Sequence, residues 1–175
     1  MIGRFSNGFI LLDNEMELLS HPNVTLTSKI LNERSISNSD NGRVFLTNLR
    51  IVFESNTRPN SQPHFISLWL SNTHNISFKK PLCINDYLQG VTSASNDSYW
   101  RGDLAWKLTF HKSRGIDFAH AVKEVNKLNQ RYNYNIPIGE LALLSDSFSR
   151  KNYMVDYGST GGCICFPCFC FPIIF

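Results

Sequence analysis

Between Met16 and His111, runs in which apolar side chains recur at every second position alternate with polar stretches, and after Gly115 apolar side chains recur at helical spacing. That change of period constrains the fold more than any other feature. A period of two marks strands with one wet face. A period of about 3.6 marks a helix with one apolar stripe. A chain of several short strands followed by an amphipathic helix has to bury one face of a bent sheet and close its open end with that helix.

Along the chain, Met16 and Leu18 alternate with Glu15 and Glu17, and Val24, Leu26 and Ile30 alternate with Thr25, Thr27 and Lys29. His21-Pro22-Asn23 lies between the two runs and reads as a turn. A Ser- and Asn-rich stretch ends in Asp40-Asn41-Gly42, a turn signal directly before the next strand. Arg43 to Glu54 is expected as one strand, with Phe45, Thr47, Leu49, Ile51 and Phe53 on one face and Val44, Leu46, Asn48, Arg50 and Val52 on the other. Apolar groups on both faces suit a strand that bends across two layers. After a polar loop at 58–63, further strands are expected at 65–70, 74–79, 87–92 and 105–111, with Pro81 breaking the run.

Asp117 is placed to cap the helix, whose stripe is Phe118, Val122, Val125 and Leu128 and whose end is near Arg131. A shorter helix is expected from Pro137 to Leu144, and residues 145–162 read as linker. The expected fold class is mainly β: a PH-like barrel of about seven antiparallel strands capped by a C-terminal α-helix. Another small barrel with a terminal helix fits the same periodicity. The domain organisation is 1–135 for the PH-like domain, 136–160 for the short helix and linker, and 161–175 for a Cys/Phe-rich tail.

Composition narrows the function classes. A net charge of +3 is too small to mark a nucleic-acid or membrane partner by itself. Cys83 stands alone before a terminal cluster of four cysteines, so the body reads as an intracellular domain. Phe9 to Leu12 is too short for a signal-peptide core, and no run approaches the roughly 18 to 20 apolar residues of a membrane span. The sequons at Asn23, Asn75 and Asn96 are read as chance matches. His21, His64, His74, His111 and His120 are isolated, without metal-ligand spacing. Phosphate-loop, nucleophile-elbow and zinc-protease motifs are not found. The expectation is a protein without catalysis, cofactor or metal.

The segment Gly42-Arg43-Val44-Phe45-Leu46-Thr47-Asn48-Leu49-Arg50-Ile51-Val52-Phe53 resembles the GRAM signature: a glycine before an aromatic, then Leu-Thr, an arginine and an aliphatic-aromatic end. Further segments look like the family of WW domain-binding protein 2 and its postacrosomal sheath relative. These are Pro22-Asn23-Val24, Lys80-Pro81 followed by Tyr87-Leu88 and Gly90, Trp100-Arg101-Gly102, Trp106-Lys107-Leu108-Thr109-Phe110 and Gly115-Ile116-Asp117-Phe118. The resemblance covers residues 8–128. It implies a PH-like (GRAM) fold, no enzyme activity, and work through protein or lipid contacts. Members of that family are associated with nuclear transcriptional coactivation and sperm–egg functions, and bind WW domains through Pro-Pro-x-Tyr motifs. Here no two of the seven prolines are adjacent, so WW-domain binding is not expected of these residues. Nucleic acid enters only indirectly, through a coactivator role.

Candidate contact residues for a phosphoinositide, a membrane surface or a protein partner are Arg50, Arg58, Lys79, Lys80, Lys112 and Arg114. The bland reading is a solvated surface mixed with Asp86, Asp97 and Asp103, and for Arg50 a structural fork onto a carboxylate or loop carbonyls. The tail from Gly161 to Phe175 interleaves Cys163, Cys165, Cys168 and Cys170 with four phenylalanines and three isoleucines. Three readings compete. The leading one is S-acylation at the four cysteines and membrane anchoring. The others are a zinc site, whose usual two knuckles are missing, and an apolar extension packed on the domain. The function expected is a non-enzymatic intracellular adaptor, cytoplasmic and peripheral to a membrane through its tail. The alternative is a nuclear coactivator.

Overall fold

One long strand organises the architecture. The computed structural model describes residues 4–6, 9–31, 37–57, 65–82, 84–96, 98–111, 115–154, 165–166 and 169–170. In chain order the strands are β1 (Arg4–Ser6), β2 (Phe9–Leu11), β3 (Glu17–Ile30), β4 (Asn38–Thr47), β5 (Arg50–Ser55), β6 (Phe65–Trp69), β7 (Thr73–Lys79), β8 (Tyr87–Ser93) and β9 (Asp103–Phe110). The helices α1 (Gly115–Tyr132) and α2 (Ile138–Met154) follow, then a short hairpin of β10 (Cys165–Phe166) and β11 (Phe169–Cys170). β3 pairs antiparallel with β4 from Glu17 to Ser28 and with β9 from Val24 to Ile30. It therefore sits at the centre of a seven-stranded sheet of order β6-β5-β4-β3-β9-β8-β7.

The ends of that sheet, β6 and β7, are consecutive in sequence and joined by a 3-10 turn at Leu70–Asn72. Seven strands laid flat would put their outer members about 29 Å apart at the usual strand spacing. Four Cα steps from Trp69 to Thr73 reach at most about 14 Å. The sheet must curl until its two ends approach. Among the described residues β6 and β7 do not pair, so the barrel expected from the sequence takes the form of a curled sheet that is not closed. In other respects the arrangement is the one expected: antiparallel strands bent round one core, with α1 packed against it. Val24, Leu46, Ile51, Phe53, Leu108 and Phe110 share that core with Phe118, Val122 and Val125 of α1.

Several other expectations change. His21-Pro22-Asn23 is no turn between strands but an extra residue within β3, where the register with β4 shifts between His21 and Val24 and Asn23 takes φ 56°. Arg43 to Glu54 is not one strand but the hairpin β4–β5. Thr47 Oγ1 accepts the N–H groups of Leu49 (3.1 Å) and Arg50 (2.9 Å), which closes a tight turn at positions expected in mid-strand. The hairpin also reverses the faces. Val44 lies opposite Phe53 and Leu46 opposite Ile51 on the main core, while Phe45 and Val52 point to the other side. There Phe9 and Leu11 of β2 cover them, with Phe9 and Phe45 ring centroids 5.1 Å apart.

Asp117 is not the cap, because α1 starts at Gly115 and Asp117 falls in its first turn, where its charge still complements the helix dipole. The second helix runs to Met154 instead of Leu144, and Leu141 and Phe148 join the main core. The linker assigned to residue 145 onward is thus helical through Met154.

Candidate functional site

Arg50 resolves into a structural centre. β5 begins at Arg50, and the preceding turn brings it beside the Leu12–Glu15 segment. The Glu15 side chain is fully buried, and its carboxylate accepts from Arg50 Nε (2.8 Å), Arg50 Nη2 (2.9 Å), Thr47 Oγ1 (2.8 Å) and Leu12 N (2.9 Å). The same guanidinium donates to Ser67 Oγ (3.0 Å) and to the Ile10 carbonyl (2.8 Å). It also lies over the Trp69 ring at 5.2 Å. This is a two-pronged ion pair with nearly every donor engaged, which fixes the start of β5 against the entry to β3.

Lys79 and Lys80 stand elsewhere, at the end of edge strand β7, and both are exposed. Pro81 lacks an N–H and stops the ladder. The chain then crosses to β8 through a connection that carries Leu82, 94% exposed, and Ile84, 69% exposed. Its base is fastened. Phe110 N donates to the Asp86 carbonyl at 2.9 Å, and Asn85 Nδ2 and His111 Nδ1 are 3.0 Å apart. His111 Nε2 in turn meets Thr25 Oγ1 at 2.6 Å. A β-carbon at Gly115 would lie 3.2 Å from the Asp86 side chain, so the first turn of α1 sits against the same base. Ile116 there is 39% exposed.

The result is a firmly rooted tip presenting two lysines and two aliphatic side chains to solvent, with Asp86 half-buried at its root. Arg58, Lys112 and Arg114 lie outside the described residues, as do Cys163 and Cys168. His111 and Gly115, which flank 112–114, both abut the Asn85–Asp86 base. In the tail, Cys165 is the register partner of Cys170 and Phe166 that of Phe169.

Leu82 and Ile84 were absent from the candidate list read from the sequence. Their signal was present: two aliphatics directly after a strand-breaking proline, in a segment too short for either regular period. Among the described residues no group of three or more His, Cys, Asp or Glu is placed to hold a metal ion, and no helix is long and apolar enough to cross a membrane.

No family model matches the chain. It is 26% identical over 120 residues to WW domain-binding protein 2 of Mus musculus, covering 67% of this chain and 45% of that protein. It is 24% identical over 136 residues to the postacrosomal sheath WW domain-binding protein of Bos taurus, covering 76% of this chain and 41% of that protein. The chain thus spans less than half the length of either relative. A solved structure, the Vps36 N-terminal PH domain, superposes with a TM-score of 0.49 at 21% identity, covering 67% of this chain and 83% of that one. The chain is homologous, at modest identity, to WW domain-binding protein 2 and to its postacrosomal sheath relative.

Proposed function

We propose that this chain is a non-enzymatic adaptor whose PH-like domain rests on an anionic membrane surface through the tip at 79–84, with the cysteine tail as a second attachment. The observation that carries the reading is the exposure of Leu82 and Ile84 beside Lys79 and Lys80. An aliphatic side chain 94% exposed contributes almost nothing to folding. Moved from water into the acyl boundary, each would gain about 1.5–3 kcal/mol at full burial. Each lysine near an anionic leaflet adds about 1 kcal/mol. That sum makes attachment weak and reversible, so stable residence needs a second signal, which acyl chains on the tail would supply.

Co-sedimentation tests the tip directly. Vesicles of phosphatidylcholine with phosphatidylserine or a phosphoinositide should pull down the protein, and neutral phosphatidylcholine vesicles should do so poorly. Leu82→Asp with Ile84→Asp should cut the bound fraction at least about tenfold, with little change in melting temperature because both residues are exposed. Equal binding by that variant would remove the tip from the reading. The nuclear alternative rests on the resemblance alone, and recovery with chromatin in cell fractionation is the result that favours it.

A further inference from the structure

On the flank of the domain, edge strand β7 and helix α1 leave an apolar groove of about 410 Å³ between them. Its floor is Leu88 and Val122, both essentially buried; Ile76 and Phe78 line it from the strand, and Ala119 lines it from the helix. Lys123 and Lys127, exposed and one turn apart on α1, form the rim. No acidic residue lines the groove among the described residues.

Among the described residues β7 pairs with β8 only. After a register shift at its start, it runs regularly through Ser77, Phe78 and Lys79 opposite Gln89, Leu88 and Tyr87. Its outer edge therefore carries a row of backbone N–H and C=O groups without a strand partner. We propose that this groove binds an extended segment of another protein as an added strand on β7, with apolar side chains at alternate positions entering the groove and an Asp or Glu side chain meeting Lys123 and Lys127. This goes beyond the membrane reading and rests on different residues.

Three features fix the occupant. The open edge presents its donors and acceptors at every second residue, ~6.6 Å apart, which a peptide strand matches and an acyl chain cannot. Side chains of an added strand point alternately to its two faces, so one face enters the groove and specificity falls on every second residue. The rim carries positive charge with no lining carboxylate to neutralise it, so the complement is acidic. The chain's own tail is a poorer occupant, because Cys163 to Phe175 has no acidic side chain to offer the two lysines.

The test is selection from a random 12-residue peptide library displayed on phage, with the full chain as bait. Selected peptides are then resynthesised and titrated by fluorescence anisotropy. Enriched sequences should alternate apolar residues and carry at least one acidic residue. Affinity should fall at least about tenfold with Lys123→Glu plus Lys127→Glu, whose side chains are exposed, and again with Ala119→Trp, which fills the groove; thermal melts confirm that both variants fold. Backbone amide shifts on peptide binding should centre on Ser77 to Lys79. The proposal is overturned if no acidic, alternating sequence is enriched, or if the selected peptides bind both variants as they bind the parent. It is also overturned if a synthetic peptide of residues 163–175, with serine for cysteine, occupies the groove and acidic peptides do not.

Discussion

Asn23 and Asn75 both head N-x-Ser/Thr triplets, and both adopt φ 56° at register shifts, in β3 and β7 respectively. Asparagine tolerates that left-handed backbone better than other non-glycine residues, so strand geometry accounts for its presence there. Gly42 has an equally local cause: a β-carbon would sit 1.8 Å from the Glu54 carbonyl oxygen and 2.8 Å from the Phe53 ring. The glycine of the GRAM-like segment is thus demanded by the close approach of β5. Arg50 and Glu15 act as a unit. Because the Glu15 side chain is wholly buried and that of Arg50 is 12% exposed, removing one leaves an uncompensated charge inside the protein. Arg50→Ala should lower unfolding free energy by about 3–5 kcal/mol. Glu15→Leu with Arg50→Met should recover much of that loss. Urea denaturation of the parent and both variants measures it, and an Arg50→Ala loss below about 1 kcal/mol would mean the pair is effectively solvated.

At the scale of elements, α1 and the β4–β5 hairpin are one packing unit. Phe118, Val122 and Val125 are fully buried against the face that carries Val44, Leu46, Ile51 and Phe53. A buried hydrogen bond from Asn129 Nδ2 to the Asn48 carbonyl, at 2.7 Å, ties the helix's last turns to the hairpin's bend. Val122→Asp buries an unpaired carboxylate and should destabilise the domain by several kcal/mol, about 3 or more. An unchanged melting temperature in that variant would contradict the shared core. α2 adds Leu141 and Phe148 to the same core, while Leu143 is 69% exposed. Phe148→Ala should therefore cost about 3–5 kcal/mol. Leu143→Ala should stay within about 0.5 kcal/mol. If the two variants melt together, α2 is an appendage and not part of the domain.

For the whole molecule, the proposed attachment divides between the tip at 79–84 and the tail that carries Cys163 to Cys170. The tip offers two lysines and two aliphatics, enough for transient contact. Two or more acyl chains on the tail would hold the protein, at about 0.8 kcal/mol per buried CH₂, and thioesterases would release it. Replacing Cys163, Cys165, Cys168 and Cys170 by serine should shift a tagged protein from the membrane fraction of cells to the cytosol. Hydroxylamine, which cleaves thioesters, should do the same to the parent. Retention in the membrane fraction after both treatments, or no membrane recovery at the outset, would end the acylation reading, and zinc analysis of the purified protein would then come next.

By itself the amino-acid order determined the mainly β class, most strand positions and the helical stripe of Phe118, Val122 and Val125, because each rests on a local period that the backbone geometry imposes. It also singled out the Gly42–Phe53 segment and the two readings of Arg50. Tertiary contact decided the rest. Arg43 to Glu54 became a hairpin because Thr47 and Asn48 found partners as far away as Glu15 and Asn129, and no local pattern lists such partners. Pro22-Asn23 stayed inside β3 because β4 pairs with the residues that flank it, His21 and Val24. The faces of Phe45 and Val52 depended on β2 arriving from outside the sheet to cover them. Lys79 and Lys80 were candidates in the sequence already, but Leu82 and Ile84 joined them only because folding leaves those two aliphatics uncovered. The groove beside β7 exists only because the curled sheet ends there while α1 passes alongside. Exposure and edges belong to the assembled molecule; periodicity belongs to the chain.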